Sequence, residues 1–167
     1  ADGRFVAFFS LASNLVPGDT NGTADIFVHD TLTGETKRAS VASDGSQVHG
    51  LCDVPSLSAD GRYIAFYSFA EDLVPEDDNG YTDVFRHDFV SGETIRVSVG
   101  ENGEQGTHDS ICSAISADGN IVGFYSYANN LVLGDTNNQP DVFVRDLAPT
   151  LRRIYFPIIS PLGGSHR

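Results

Sequence analysis

Loops rich in aspartate and asparagine recur three times in this chain of 167 residues. "PGDTNGTADIFVHD" begins at Pro17, returns as "PEDDNGYTDVFRHD" from Pro75, and returns again as "LGDTNNQPDVFVRD" from Leu133. Calcium prefers hard oxygen ligands, which short loops supply from alternating Asp and Asn around a Gly bend. The candidate ligands of Ca²⁺ or another hard cation are therefore the oxygen-bearing residues of these loops: Asp19, Asn21, Asp25, Asp77, Asn79, Asp83, Asp135, Asn137 and Asp141.

The same residue types also build turns without any metal. Asp and Asn side chains accept hydrogen bonds from their own turn, and Gly supplies a positive φ. The full calcium-loop pattern of helix–loop–helix proteins is absent, because its final Glu is missing. The third copy carries Asn138 in place of the Gly, with Pro140 beside it. Cation binding and structural turns both remain open at this point.

Two histidines outside these loops are candidates for acid–base chemistry. His49 and His108 are one residue out of step with the repeat, so repeat packing does not require them. Near a carboxylate such as Asp53 or Asp109, either could act as an acid–base group or a transition-metal ligand. The alternative is that both are solvated loop residues.

No other catalytic pattern is present in the sequence. His29 and His87 share a repeat position with Arg145, which predicts a structural role for all three. The chain contains no Gly-x-Ser-x-Gly elbow, His-Glu-x-x-His, Cys-x-x-Cys, phosphate-binding loop or dinucleotide fingerprint.

The elements that position these residues follow from an internal repeat. "ADGRFVAFFS", "ADGRYIAFYS" and "ADGNIVGFYS" begin at Ala1, Ala59 and Ala117, at intervals of 58 residues. Each copy predicts β-strands only. The first is a continuous apolar run typical of a strand buried on both faces, and "DIFVHD" or its equivalent forms the second. The alternating "TKRASV" or "TIRVSV" is a third strand, and "VPSLS" or "CSAIS", before the next Ala-Asp-Gly turn, is a fourth. We therefore predict an all-β fold.

Four antiparallel strands per repeat, packed between like neighbours, predict a β-propeller with three four-stranded blades. The repeats span residues 1–58, 59–116 and 117–156 of a single domain, 1–167. The turn "SADGRYIAF" followed by "DVFRHDFVSGETIRVSV" resembles the TolB-type, WD-like propeller repeat, and the resemblance covers nearly the whole chain. It implies a six-bladed, extracytoplasmic propeller that acts as a protein-binding platform or as an accessory domain of a hydrolase.

Three blades cannot close a ring, because propellers use about four to eight. Two chains arranged head to tail would make six, which predicts a homodimer. The first blade begins at its second strand, and the tail repeats the innermost-strand pattern: Pro157–Ser160 matches Pro55–Ser58. Residues 157–163 are therefore a candidate innermost strand exchanged with the partner subunit. The alternative is that the chain is a piece of a longer propeller.

Strand order predicts that the Asp/Asn loops and the loops carrying His49 and His108 lie on one face, the top face. The chain has a net charge of −13, and its last acidic residue is Asp146. Such an acidic body repels phosphate, so nucleic acid is excluded as a partner. No apolar run approaches the ~20 residues of a membrane helix, so no membrane insertion is expected. Cys52 and Cys112 occupy non-equivalent repeat positions and are expected to be two buried thiols; the alternative is a disulfide, which would need their Cα atoms within about 7 Å.

Two functions are compatible with this pattern. The repeat preserves scaffold and loops without singling out a catalytic constellation, which favours a non-catalytic module that binds a ligand or protein on the acidic top face. The alternative is a hydrolase or lyase at the mouth of the central channel, using the top-face His and Asp residues and a metal that activates water.

Overall fold

The computed structural model describes residues 3–148 and 153–155. Its elements are all strands: β1 Phe5–Ser10, β2 Asp25–Asp30, β3 Thr36–Arg38, β4 Cys52–Leu57, β5 Tyr63–Ser68, β6 Asp83–Asp88, β7 Thr94–Arg96, β8 Ser110–Ile115, β9 Ile121–Ser126, β10 Asp141–Asp146 and β11 Arg153–Tyr155. The predicted all-β class is confirmed. Among the described residues, no helix is long and apolar enough to cross a membrane.

The strands form three antiparallel sheets. The first sheet has the order β1-β2-β3, the second β4-β5-β6-β7 and the third β11-β10-β9-β8. The innermost strands β4 and β8 belong to the end of one sequence repeat but pair within the next sheet, with β5 and β9. In the first sheet β1 has no such neighbour among the described residues. The strand predicted from residues 157–163 lies outside the described residues.

The third sheet ends in a strand that four strands per repeat predict but that sequence similarity does not locate. β11 pairs with β10 through Arg145↔Ile154, the position that His29↔Thr36 and His87↔Thr94 take in the other sheets. Sequence similarity between the repeats fades after Asp146, so the pattern alone gave no signal for its position. Strand pairing continues because backbone groups of β10 bond to any extended partner.

Apolar side chains are buried mainly between adjacent sheets. Ile26 and Val28 of β2 pack in one cluster with Ile64, Phe66 and Phe85 of the second sheet. A second cluster joins the second and third sheets in the same way, through residues that include Ala65, Val84, Val97, Val122, Phe124 and Phe143. The two junctions are therefore copies of one interface.

Each innermost strand of the second and third sheets contains a β-bulge. The pairing register shifts between Asp53 and Ser56 and between Ile111 and Ala114. Val54 and Cys112, at equivalent positions in these bulges, have φ of 50° and 53°. Cys52 is buried, and both cysteines are free, but Cys112 is exposed. The expectation of two buried thiols was wrong for Cys112, because the bulge interrupts the inward–outward alternation of β8.

Candidate functional site

Strand register brings the long loops to one end of all three sheets. Ser10 pairs with Asp25, Ser68 with Asp83 and Ser126 with Asp141, so the loops at 11–24, 69–82 and 127–140 leave the sheets at the same edge. The segments at 39–51 and 97–109 return to this edge before β4 and β8. We call these five segments the loop face.

In the first Asp/Asn loop an arginine occupies the centre of the acidic cluster. Arg38, the last residue of β3, places Nη2 3.7 Å from Asp19 Oδ1 and Nε 3.7 Å from Asp25 Oδ2. All three side chains are at most 7% exposed. Ser40 donates a hydrogen bond of 2.6 Å to the other oxygen of Asp25. The guanidinium supplies the positive charge that these buried carboxylates need.

The asparagine of this loop serves as a turn device. Asn21 Nδ2 donates to Asp25 Oδ2 and to the carbonyl oxygen of Val48, both at 3.0 Å. Its Oδ1 accepts a 3.0 Å bond from the backbone N–H of Thr23. The amide therefore presents its nitrogen, not its oxygen, to the acidic cluster.

The second loop repeats this arrangement with shorter distances. Arg96 Nη2 lies 3.0 Å from Asp77 Oδ1, and Arg96 Nε lies 3.5 Å from Asp83 Oδ2. Ser98 donates a 2.5 Å bond to Asp83, and Asn79 donates one of 3.1 Å. Burial raises the pKa of Asp77 to about 6, although the charge of Arg96 opposes the shift. Burial also raises the pKa of Asp83.

The third loop keeps the turn, and among the described side chains no arginine is recorded against its carboxylates. Asn137 Nδ2 donates a 3.1 Å bond to Asp141 Oδ2, and Asn137 Oδ1 accepts a 2.7 Å bond from the N–H of Gln139. The 58-residue spacing aligns Ile154 with Arg38 and Arg96 in sequence, but strand pairing places Ile154 opposite Arg145, the position of Thr36 and Thr94 in the other sheets. Asp141 is buried and Asp135 is half-buried.

These three geometries bear differently on the calcium prediction. In the first two loops the carboxylates face an internal guanidinium, and a divalent cation there would be repelled by that buried charge. The residues as arranged therefore fit arginine and do not fit calcium. For the third loop no ion pair with an arginine is recorded within the described ranges, so calcium stays a prediction for Asp135, Asn137 and Asp141 alone. No group of three or more His, Cys, Asp or Glu side chains within the described ranges is arranged to hold a metal.

His49 forms a bond between two neighbouring loops. Its Nδ1 lies 2.8 Å from Asp72 Oδ2, and its backbone N–H donates to the same carboxylate at 3.1 and 3.2 Å. The imidazole is 79% exposed. At the equivalent position of the next junction, the N–H of Thr107 donates a 3.0 Å bond to Asn130 Oδ1. A loop connection at this position is therefore part of the repeat.

The other candidate acid–base groups have separate partners. The ring of His108 stacks on Tyr81 at 5.3 Å, and Asp109 accepts a 2.9 Å bond from the N–H of Thr82. Asp53 accepts a 2.6 Å bond from the N–H of Val54 and one of 3.4 Å from the hydroxyl of Tyr67. The structure records no contact that joins His49, His108, Asp53 and Asp109 into one group.

The loop face also exposes large apolar side chains, and one of them recurs at the same position of each repeat. Leu11 is 73% exposed, Phe69 59% and Tyr127 49%, and all three occupy the same repeat position directly after β1, β5 and β9. The N–H of Phe69 bonds to the carbonyl oxygen of Leu51 and that of Tyr127 to the carbonyl oxygen of Asp109, at 3.1 and 3.0 Å. These bonds hold the backbone next to the innermost strands while the side chains face outward.

The residues of the loop face have charge of a single sign, although the buried guanidinium groups of Arg38, Arg96 and Arg145 contact them from the strands. The five segments contain no lysine or arginine, whereas their acidic residues are Asp19, Asp44, Glu71, Asp72, Glu76, Asp77, Asp78, Glu101, Glu104, Asp109 and Asp135. At the opposite end the carboxylates have partners: Arg4 Nη2 lies 2.8 Å from Asp30, and Arg62 Nη2 lies 2.8 Å from Asp88. The bonds from Arg4 and Arg62 hold the pKa of Asp30 and of Asp88 well below the usual range.

Sequence reasoning missed Arg38 and Arg96, and a signal for them was available. They recur 58 residues apart in otherwise exposed outer strands, opposite the Asp/Asn loops. The recurrence of Leu11, Phe69 and Tyr127 as large apolar residues at one position was also visible. Asp72 gave no signal, because its counterpart is Asn130 and its role depends on the loop conformation.

Comparison with known proteins identifies the fold. The sequence matches no protein-family model and no curated protein. The structure is similar to TolB from Acinetobacter baumannii, with 20% identity and a TM-score of 0.55, over 93% of this chain and 30% of that one. It is equally similar to a TolB-designated protein from Agrobacterium tumefaciens, with 18% identity and a TM-score of 0.55, over 93% of this chain and 45% of that one. The fold is therefore TolB-like and of the propeller type, and the chain spans less than half of either structure.

Proposed function

We propose that this protein is a non-catalytic binding module whose loop face recognises a positively charged ligand or protein. The observation that carries the proposal is the loop face itself, whose segments gather acidic side chains, no lysine or arginine, and exposed apolar residues that include one at a recurring position of each repeat. Rigid scaffolds that present loops at one end commonly bind there. The resemblance to TolB repeats favours an extracytoplasmic location.

The charge of the loop face favours a cationic partner. A surface of one sign raises the local concentration of ligands of opposite charge and accelerates their association. Arg38 and Arg96 do not neutralise the outer carboxylates, because both guanidinium groups are buried against Asp19, Asp25, Asp77 and Asp83. Glu71 and Glu101 are exposed and face solvent.

The apolar side chains favour a partner that also carries hydrophobic groups. Phe69 and Leu11 are exposed, so a polar residue at either position would not disturb the core. Burying such side chains supplies about 25 cal/mol per Å² of affinity that salt does not screen. A segment with alternating Lys and Leu residues has both features.

We further propose that two copies complete a six-bladed ring. Three sheets are too few for a propeller, and the described part of the first sheet exposes apolar side chains on the face that a preceding sheet would cover. A ring would place two loop faces around one central opening. The exchange of residues 157–163 between subunits is a separate hypothesis.

The binding proposal is tested with a fluorescent peptide of alternating Lys and Leu, measured by anisotropy at low and high salt. We expect binding that weakens as salt rises. Glu71→Gln with Glu101→Gln should raise the Kd several-fold at low salt, and Phe69→Ser should raise it equally at both salt concentrations. Glu35→Gln with Glu93→Gln, at the opposite end, is the control. Equal binding of a Glu–Leu peptide would contradict the proposal.

Calcium binding to the third loop is a hypothesis with its own test. Calcium should raise the Tm of the wild type relative to EDTA, and Asp141→Asn should remove that rise. Asp25→Asn is the comparison, because the first loop contains Arg38 and should show no calcium dependence. A calcium effect that survives Asp141→Asn would contradict the assignment.

A hydrolase or lyase is the second candidate, favoured by one contact. The exposed imidazole of His49, 2.8 Å from Asp72, has the geometry of an oriented base. A screen of ester, lactone and glycan substrates, with and without EDTA, tests it on the wild type and on His49→Ala. His108→Ala is the control, since that ring stacks on Tyr81. Activity lost only with His49 would establish the enzyme over the binding module.

A further inference from the structure

At both junctions between sheets, a ring at the start of one strand covers a glycine of the next sheet's turn. An ideal Cβ on Gly61 would lie 2.4 Å from the ring of Phe5. The equivalent Cβ on Gly119 would lie 2.1 Å from the ring of Tyr63. Gly3 is the third member of this series, and an ideal Cβ there has no atom within 4 Å among the described residues. The turn of the first sheet is thus built to receive a side chain that its own described chain does not supply.

The apolar face around Gly3 shows the same difference. Leu15 is 36% exposed, whereas its equivalents Leu73 and Leu131 are 1% and 0% exposed. Val6 is 46% exposed, whereas its equivalents Ile64 and Val122 are completely buried. The first sheet therefore presents one half of an interface that the molecule forms twice elsewhere.

The third sheet presents the other half. The residues that cover a following sheet are Ile26 and Ala7 in the first sheet, and Val84 and Ala65 in the second. Their equivalents in the third sheet are Val142 and Gly123. Val142 is half-buried, although Ile26 and Val84 are completely buried. One chain thus carries both complementary halves of its own internal junction.

We infer that the open face of the first sheet binds the third sheet of a second copy, with Ile121 of the partner subunit against Gly3. Ile121 is the equivalent of Phe5 and Tyr63, so this contact continues the glycine series. The inference rests on the proposed two-copy ring and specifies its interface. The contact is head-to-tail, and two such contacts related by a two-fold axis close the ring.

A second copy is the occupant that the repeat favours. Two surfaces that copy the two sides of one internal interface match each other in shape and in apolar character. The other candidates, a preceding segment of a longer chain or an unrelated protein, are outcomes of the experiments below. In both of those cases the purified chain would be a monomer.

The first experiment measures mass by size-exclusion chromatography with light scattering. The wild type should be a dimer, and Val6→Asp should halve its mass. Leu32→Asp is the control, because Leu32 is 75% exposed in a turn at the opposite end and should leave the mass unchanged. Val142→Asp, on the third sheet, should also halve the mass. A monomeric wild type, or a dimer that Val142→Asp does not affect, would overturn the inference.

The second experiment forms a disulfide across the contact, so it does not depend on introducing a charge that could destabilise the fold. With Cys112→Ser as background, Gly3→Cys plus Ile121→Cys should give a covalent dimer on a non-reducing gel. Tyr63→Cys plus Gly119→Cys is the matched control within one chain, since an ideal Cβ on Gly119 lies 2.9 Å from Tyr63 Cβ, near disulfide reach. A control that cross-links while the test pair stays monomeric would overturn the inference.

The failure of this interface can be told apart from failure of the binding function. Peptide anisotropy on Val6→Asp reports the loop face in a separated chain. Peptide binding with no dimer overturns the interface and leaves the binding module. A cross-linked dimer that does not bind the peptide supports the interface and contradicts the binding module.

Discussion

The first and second sheets carry nearly the same residues on the face that looks towards the preceding sheet, yet only one of these faces is buried. Ile64 and Leu73 are packed against the first sheet, while Val6 and Leu15 at the same repeat positions are 46% and 36% exposed. The rings of Phe8 and Phe27 pack much as those of Phe66 and Phe85 do, with centroids 5.8 and 6.1 Å apart and interplanar angles of 28° and 30°. The first sheet therefore folds without a preceding sheet, but its apolar face would be buried only if another sheet covered it.

This difference shows that the repeat encodes an interface and not only a sheet. A solvent-exposed sheet face would normally alternate towards polar residues. The first sheet keeps apolar ones, so its sequence is adapted to a covering that the described chain does not provide. Four measurements would break or sharpen this comparison.

The largest loss of stability is expected for Arg38 and Arg96, which occupy the same position in the first and second sheets. Arg38→Met and Arg96→Met each leave two buried carboxylates without a cation, so each should cost about 3–5 kcal/mol of unfolding free energy. Urea denaturation measures both. Asp77→Asn added to Arg96→Met should recover part of the loss. A cost for Arg38 far below that for Arg96 would mean that the first sheet is loosely formed throughout.

The next effect separates the two sheets. Leu73→Ala removes a fully packed side chain and should cost about 2–5 kcal/mol. Leu15→Ala should cost less than about 1.5 kcal/mol in dilute protein, because much of its surface already meets water. Its cost should grow with protein concentration if a second copy covers it. Equal costs at all concentrations would remove the distinction between the faces.

A smaller effect depends on pH and belongs to the second sheet. The pKa of Asp77 is raised to about 6, so its ionised form is disfavoured in the folded state. Such a group destabilises the fold above its folded pKa, and the cost disappears as pH falls from about 7 towards about 4. Unfolding free energy should rise by of the order of 1 kcal/mol over this window. Asp77→Asn should abolish the rise, and its persistence in that variant would assign it elsewhere.

The smallest effect concerns the exposed loop connections. Asp72→Ala breaks the contact with His49 across the first junction, and Asn130→Ala breaks that with Thr107 across the second. Each should lower Tm only slightly, because exposed pairs contribute about 0–1 kcal/mol. A large loss for Asp72 alone would show that the first junction depends on this contact more than the second does.

The repeat predicted the all-β fold, the strand cores and the grouping of the loops, since each depends on a pattern that recurs at fixed spacing. Four strands per repeat predicted an outer strand for the third sheet but not its residues, because backbone pairing needs no particular side chains. The exposure of Cys112 escaped prediction for a related reason: a one-residue bulge reverses the facing of a strand without changing composition.

The Asp/Asn loops show a different limit. The pattern correctly marked clustered oxygens, but it could not say what charge they face. The charge that these oxygens face comes from Arg38 and Arg96. Each arginine lies on a strand that follows its loop in sequence, and the pairing of β2 with β3 and of β6 with β7 brings it to the loop. A search for recurring cations opposite recurring carboxylates would have found them.

The repeated turn glycines, from Gly3 to Gly119, affect how copies of the protein would assemble at high concentration. A molecule with a donor face and an acceptor face has no intrinsic end, so growth stops only when the rotation per step brings the last unit back to the first. A side chain at Gly61 or Gly119 would displace the ring that packs on it and change the rotation between sheets, so in the proposed dimer we expect such a substitution to convert closed particles into open filaments, visible by electron microscopy.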